Sequence, residues 1–190
     1  VAADIFGQSC DIKSLMAIAK KYNLKVITDT AQAPGTWTGK NKNTGTLADV
    51  GGFSLNYHKH IHTGEGGILV TNDDIIFERL QLIRNHGEAV VEDKGVNNIT
   101  NMLGHNFRLG EIESAMGIEQ LKKLEGLVKR REDVAKRLTE GIKDLRGLKT
   151  PFVESGNTHA YYVYPLVLDI DALKVSRKKI CDALNAEGLD

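Results

Sequence analysis

Lys59 lies in a short polar loop between two apolar runs, within SLNYHKHIHTGEGGILVTN (Ser54–Asn72), just ahead of the glycine turn Gly64-Glu65-Gly66-Gly67. Upstream, VITDTAQ (Val26–Gln32) carries a buried-looking run into a carboxylate, Asp29. A lysine amine condenses with an aldehyde to give a Schiff base. A carboxylate set against a heterocyclic nitrogen keeps that nitrogen protonated, so that the ring withdraws electrons. Lysine and strand-end aspartate are the two groups that a pyridoxal phosphate enzyme needs. Gln32 follows Asp29 closely and Ser54 precedes Lys59, so four polar groups stand near the ends of apolar runs. A lone lysine in a loop is ordinarily a solvated charge; its surroundings make this one a candidate. Open α/β sheets bind ligands beyond the carboxyl ends of their strands, where such groups gather.

The elements that must position these groups can be read from periodicity. Asp11 suits the N-cap of a helix over Ile12–Asn23, with Ile12, Leu15, Met16 and Ala19 on one face. Leu24–Thr28 then reads as a short strand ending at Asp29, and helix followed by strand argues for a parallel sheet with helices packed on it. Gly35–Asp49 is rich in Gly, Thr and Asn and reads as a hairpin or surface loop. Gly52–Leu55 and Gly67–Thr71 read as buried strands on either side of the Lys59 loop. Asn72 or Asp73 can cap a helix carrying Ile75, Ile76, Leu80 and Ile83, which stops near His86-Gly87.

Glu88–Gly104 is polar and aperiodic, the pattern of a functional or disordered loop. Leu109–Leu145 keeps rough helical spacing and is expected to be one long or kinked helix, bent near Gly126 and leaving the first domain. Beyond Pro151, Ala160–Leu168 reads as a strand and Lys174–Glu187 as an amphipathic helix. The expected division is a large domain over residues 1–125 and the start of a smaller α+β domain over 126–190.

The chain has 190 residues, enough for one large domain or two small ones, and a formal net charge of zero. Balanced charge favours neither nucleic acid nor an anionic membrane as partner. Cys10 and Cys181 lie far apart and form no metal-type cluster, which suits a reducing compartment. No apolar run reaches membrane-spanning length, so a cytoplasmic protein is the default expectation. The start at VAADIFGQ, read as the tail of a strand and a loop, and the stop after a helical pattern suggest an internal piece of a longer polypeptide.

Other groups compete for attention. His58, His60 and His62 alternate, so on an extended strand they could share a face and ligate a metal. Lys59 interrupts the run, however, and no neighbouring cysteine or carboxylate cluster completes a site. A neutral imidazole helping to hold the lysine amine unprotonated, or touching substrate, is one alternative; plain loop packing is the other. The GEGG turn lacks the strand–loop–helix setting of a phosphate cradle, and its glycines are better read as permitting a tight backbone path. KRRED (Lys129–Asp133) reads as a solvated helix face. Arg84 and Arg108 are candidates for structural or substrate-carboxylate contacts. Tyr161, Tyr162 and Tyr164 alternate and most simply pack the small domain.

Several motifs in order, IFGQSCDI, VITDTAQAPG, GTLADVGGFSLNYHK, TGEGGILVTND, LIRNHG and LGHNFRLGEIESAMGIEQL, resemble the sugar aminotransferases of the DegT/DnrJ/EryC1/StrS family. The resemblance runs through most of the chain. It implies an α/β fold of the fold-type-I pyridoxal phosphate transferases (aspartate aminotransferase-like), with a mainly parallel sheet. It further implies a homodimer with shared active sites, glutamate as amino donor, and a nucleotide-linked keto sugar as acceptor. The product would be an amino sugar for a polysaccharide, a glycan or an antibiotic. Carried over by residue, Lys59 would form the Schiff base and move the proton between substrate carbon and cofactor. Asp29 would pair with the pyridinium nitrogen, Gln32 would lie beside the ring near its phenolic oxygen, and Ser54 would donate to the phosphate. Asn106 would reach the phosphate bound in a neighbouring subunit.

Thr28 stands where the family often has glutamate, Ala48 where glycine is common, and HKHIH departs from the commoner Thr-Lys-Asn-like surroundings, a departure that would mark a subgroup acting on a particular sugar. A sugar 3-dehydratase of the same family is a rival, but such enzymes carry histidine at the Schiff-base position. A catalytically silent cofactor-binding or interaction protein is the second rival. The family's N-terminal region, with further phosphate contacts and an aromatic against the ring, does not match any part of this chain. Weak or no activity of the isolated chain is therefore the expectation.

Overall fold

The computed structural model describes residues 1–39, 42–88 and 102–189. Three short strands run parallel: β1 (Ala2–Ala3), β2 (Ile27–Asp29) and β3 (Val50–Ser54). A fourth, β4 (Gly67–Val70), pairs antiparallel with β3, so the sheet order follows the sequence order. The mainly parallel sheet expected from the alternation of elements is present. β2 begins later than Leu24 because the chain first turns through Asn23, whose left-handed backbone (φ 50°) ends helix α1 (Ile12–Tyr22). The cap at the other end of α1 is the expected one: the Asp11 carboxylate accepts the Ser14 N–H at 3.1 Å.

Asp73 caps α2 (Asp74–Arg84), one carboxylate oxygen accepting both the Ile75 and Ile76 N–H groups. Residues 36–44 form a hairpin closed by an antiparallel bridge between Trp37 and Asn43, as the Gly/Thr/Asn composition suggested; its tip, 40–41, lies outside the described residues. This loop folds back onto β3 so closely that a Cβ at Gly51 would run into the Gly45 carbonyl. The position therefore requires glycine. Most of the expected loop Glu88–Gly104 also lies outside the described residues.

Three expectations need correction. The long helical pattern is divided into α3 (Glu111–Leu121) and α4 (Leu124–Ile142), with the break at Lys122–Lys123 rather than near Gly126, which lies within α4. There the Lys123 N–H bonds the Gln120 carbonyl, a tightened turn that interrupts the regular ladder. The expected strand Ala160–Leu168 reduces to β6 (Val167–Leu168), which pairs antiparallel with β5 (Leu148–Lys149). Tyr161 has φ 47°, which an extended strand cannot hold, and the backbone around it bonds elsewhere. The last helical pattern is also shorter than expected: α5 (Ile170–Leu173) ends at Lys174, and Ser176 caps α6 (Arg177–Ala186).

The buried apolar residues include Ile12 and Ala19 of α1, Leu55 and Ile61 around the Lys59 loop, Leu82 of α2, and Val128 and Ala135 of α4. By contrast Ile68 and Leu69 of β4 and Ile112, Ile118 and Leu121 of α3 are exposed.

Candidate active site

β2 and β3 are parallel neighbours with Asp29 opposite Gly52, so Asp29 and Ser54 leave the sheet at the same edge. The backbone then turns sharply. Thr30 N–H bonds the Gly52 carbonyl and Ala33 N–H the Thr30 carbonyl, which sets Gln32 in the turn directly after Asp29. The Gln32 amide oxygen accepts the Phe6 N–H at 2.7 Å, tying this turn to the loop that follows β1. After β3 the chain makes a second turn, where Lys59 N–H bonds the Asn56 carbonyl and Thr63 N–H closes onto Leu55. Lys59 projects from that turn. Its Nζ lies 4.6 Å from the ring centroid of Tyr162.

Each of these groups keeps bonding capacity. Asp29 is exposed; its Oδ1 accepts the Ala31 N–H at 3.0 Å, and Oδ2 makes no hydrogen bond among the described residues. Ser54 Oγ accepts from Asn56 N–H at 3.2 Å, which leaves its own proton to donate. Lys59 Nζ forms no hydrogen bond or ion pair among the described residues and rests only on the aromatic face. An aldehyde-bearing aromatic phosphate needs an amine, a carboxylate for the ring nitrogen and hydroxyl donors for the phosphate. This donor set fits it.

Behind the exposed groups lies a buried polar layer. Asp4, 1 % exposed, accepts the Thr30 hydroxyl at 2.7 Å through Oδ2 and the Cys10 N–H at 2.9 Å through Oδ1. Its own N–H bonds the Asp29 carbonyl at 2.9 Å. Burial, with Asp4 alongside, pushes the Cys10 thiol up to about 12, so it stays protonated and inert.

The three alternating histidines do not share a face. Residues 57–61 form turns and bends rather than a strand; His58 is exposed, His62 is half-buried and accepts the Gly64 N–H, and His60 is buried. Among the described residues no group of three His, Cys, Asp or Glu side chains is placed to hold a metal. His60 Nε2 lies 3.0 Å from the Ala160 carbonyl, and burial lowers its pKa, so the ring is neutral and donates.

Asn106 forms an antiparallel backbone bridge with Asn85 beyond α2, and it is exposed. Arg108 donates to the Asn85 side chain at 2.7 Å, the structural contact expected as one of its alternatives. A surface hollow of about 690 Å³ lies beside Phe53, β4 and α2, with Arg84 and Arg108 on its wall. Another of about 750 Å³ adjoins the start of α1. Neither is lined by Lys59, Asp29, Gln32 or Ser54.

Sequence reasoning missed Tyr162. Read as packing for the small domain, it instead lies against the site lysine and near His58 and His60, with ring centroids 6.2 and 5.8 Å away. No local signal could have found it, because the contact joins segments far apart in the chain. Of the neighbouring tyrosines, Tyr164 bonds the Thr139 hydroxyl and Tyr161 stacks on His159, which agrees with packing.

The UDP-4-amino-4,6-dideoxy-N-acetyl-β-L-altrosamine transaminase of Helicobacter pylori is 32 % identical to this chain over 192 residues, covering 100 % of the chain and 49 % of the transaminase. The structure of PseC, a Helicobacter pylori aminotransferase involved in the biosynthesis of pseudoaminic acid, superposes with a TM-score of 0.83 at 31 % identity, covering 98 % of this chain and 49 % of PseC. The Escherichia coli GDP-4-keto-6-deoxy-D-mannose-3-dehydratase with bound hydrated pyridoxal phosphate gives 0.83 at 27 % identity, over 99 % of this chain and 51 % of the dehydratase. The chain thus spans about half the length of the curated relatives it matches. The fold is that of the fold-type-I pyridoxal phosphate transferases. The sequence pattern of one such family matches all of residues 1–190, and the chain belongs to the DegT/DnrJ/EryC1/StrS aminotransferase family.

Proposed function

We propose that the polypeptide containing this chain is a pyridoxal-phosphate-dependent aminotransferase that moves an amino group, taken from glutamate, onto a nucleotide-linked keto sugar. The observation that carries this reading is the set of unused polar groups at one sheet edge: Lys59 Nζ, Asp29 Oδ2 and the Ser54 hydroxyl. When bound, the cofactor supplies an electron sink for the carbanion left by proton removal. Lys59 would hold the cofactor through its aldehyde and, when its amine is free, would carry the proton at its Nζ. Asp29 would keep the ring nitrogen protonated, and Ser54 would donate to the phosphate. Gln32, whose amide oxygen accepts the Phe6 N–H, would lie beside the ring. Asn106 would serve the phosphate of a second subunit in a homodimer. Among the described residues no helix is long and apolar enough to cross a membrane, and we assign the enzyme to the cytoplasm.

The dehydratase reading has structural likeness on its side, yet Lys59 occupies the position where those enzymes carry histidine. Borohydride reduction of the full-length protein mixed with pyridoxal phosphate, followed by peptide mass spectrometry, tests the assignment. Selective labelling of Lys59, abolished in Lys59→Ala, is the expected result; scattered labelling of surface lysines would sink it. Glutamate should then convert the bound cofactor to its amine form, which a silent protein does not achieve.

A further inference from the structure

Tyr162 belongs to a strap, residues 159–164, that is fastened without using its own side chain. Ala160 N–H bonds the Gly7 carbonyl at 2.6 Å and Val163 N–H the Phe6 carbonyl at 3.3 Å. Arg131 donates to the Tyr161 carbonyl at 2.9 Å, and His60 Nε2 meets the Ala160 carbonyl. These bonds fix the backbone on both sides of Tyr162. Its hydroxyl makes no hydrogen bond among the described residues, while its ring lies 4.6 Å from Lys59 Nζ. The same loop that receives the strap, Phe6–Gly7, also holds Gln32. One run of contacts therefore joins Gln32 to the lysine.

We propose that Tyr162 is the resting station of the Lys59 amine whenever that amine is free of a carbonyl partner. The inference rests on the lysine role given under Proposed function. A lysine ammonium is a compact charge on a flexible stem, and the negative face of an aromatic ring attracts it. Left alone, the stem would let the amine wander into solvent. Seated on Tyr162, it stays beside its own turn, and it gives up its proton before it bonds a carbonyl again. His60, buried and neutral, adds no competing positive charge beside it. The ring, not the hydroxyl, performs this role.

Acylation of the full-length protein without cofactor tests the proposal. A reagent specific for neutral amines is applied at fixed pH, and Lys59 labelling is read by mass spectrometry against the other lysines in the same digest. Tyr162→Phe should label Lys59 at the wild-type rate. Tyr162→Leu should label it roughly 2- to 10-fold faster, because the amine is no longer held against the ring face. Phenylalanines of increasing fluorination at position 162 drain the ring face while nearly keeping its shape, so the rate should climb stepwise along that series. The series answers the question even where the leucine variant fails to fold. A merely structural tyrosine would give a flat series, and that result overturns the inference while leaving borohydride trapping at Lys59 intact. Failure of trapping at Lys59 in the wild-type protein would overturn the cofactor assignment and this inference with it.

Discussion

Asp4 and Asp29 stand at the ends of adjacent parallel strands, joined by a bond from the Asp4 N–H to the Asp29 carbonyl, and they differ in almost everything else. Asp4 is buried, with both carboxylate oxygens engaged by Thr30 and Cys10. Asp29 is exposed, with one oxygen taken by Ala31 and the other open. A buried carboxylate is tolerable only when its hydrogen bonds are made inside the protein. Once made, they leave it nothing to offer a ligand. The strand end with unused capacity is where chemistry can occur, and the saturated one is what holds that strand end still.

The largest expected effect breaks this comparison on the Asp29 side. Asp29→Ala in the full-length protein should slow the half-reaction with glutamate by roughly 10²- to 10³-fold, the usual loss when a group stabilising developing charge is removed. Stability should change little, since the side chain is exposed and gives up a single bond to Ala31. Stopped-flow absorbance of the cofactor, paired with a thermal melt, measures both. A variant that reacts normally would remove Asp29 from the site.

The opposite pattern is expected at Asp4. Asp4→Ala removes the acceptor of the half-buried Cys10 N–H and the shorter-range acceptor of the buried Thr30 hydroxyl, at a cost of about 3 kcal/mol in unfolding free energy. Denaturant unfolding reads it. Lys59 should still be trapped by borohydride in the folded fraction, because Asp4 meets the site only through the backbone. Equal stability of Asp4→Ala and wild type would erase the distinction between the two aspartates.

Much of the candidate site's placement was legible, and the reason is local. Asp29, Gln32, Ser54 and Lys59 lie at or shortly after the ends of apolar runs, and where a parallel strand ends is a property of the nearby chain. The caps Asp11 and Asp73 were legible for the same reason. Asp4 and Tyr162 were not, because their roles depend on partners that only the fold brings near. The strap is the clearest case. Ala160–Leu168 alternates like a strand, but Gly7, Phe6, Arg131 and His60 take up its backbone groups, and Tyr161 turns into the left-handed region. Tertiary bonds outweighed periodicity there. At Lys122–Lys123 the sequence has no proline or glycine to announce the break, whereas Gly126, which it does have, stays helical.

The smallest effect concerns the strap's own anchor and carries the rule of engaged groups from carboxylates to imidazoles. His159 is 2 % exposed; its Nδ1 accepts the Tyr161 N–H at 2.8 Å, and its Nε2 finds no partner among the described residues. Burial lowers its pKa from 6.5 to about 4. The folded protein thus holds His159 neutral where the unfolded chain would protonate it. Linkage fixes the sign: stability from this residue is fully present above about pH 6.5 and is lost as pH falls toward 4. At pH 5 the loss amounts to about 2 kcal/mol. Replacing the imidazole by a neutral amide, His159→Gln, should flatten that part of the curve, even if it lowers stability at pH 7 by disturbing the turn at Tyr161. Urea unfolding of both proteins from pH 4 to 7.5 gives the two slopes. Parallel slopes would mean that the strap opens readily enough to hydrate His159. Tyr162 would then lack the fixed backbone that a station for Lys59 requires.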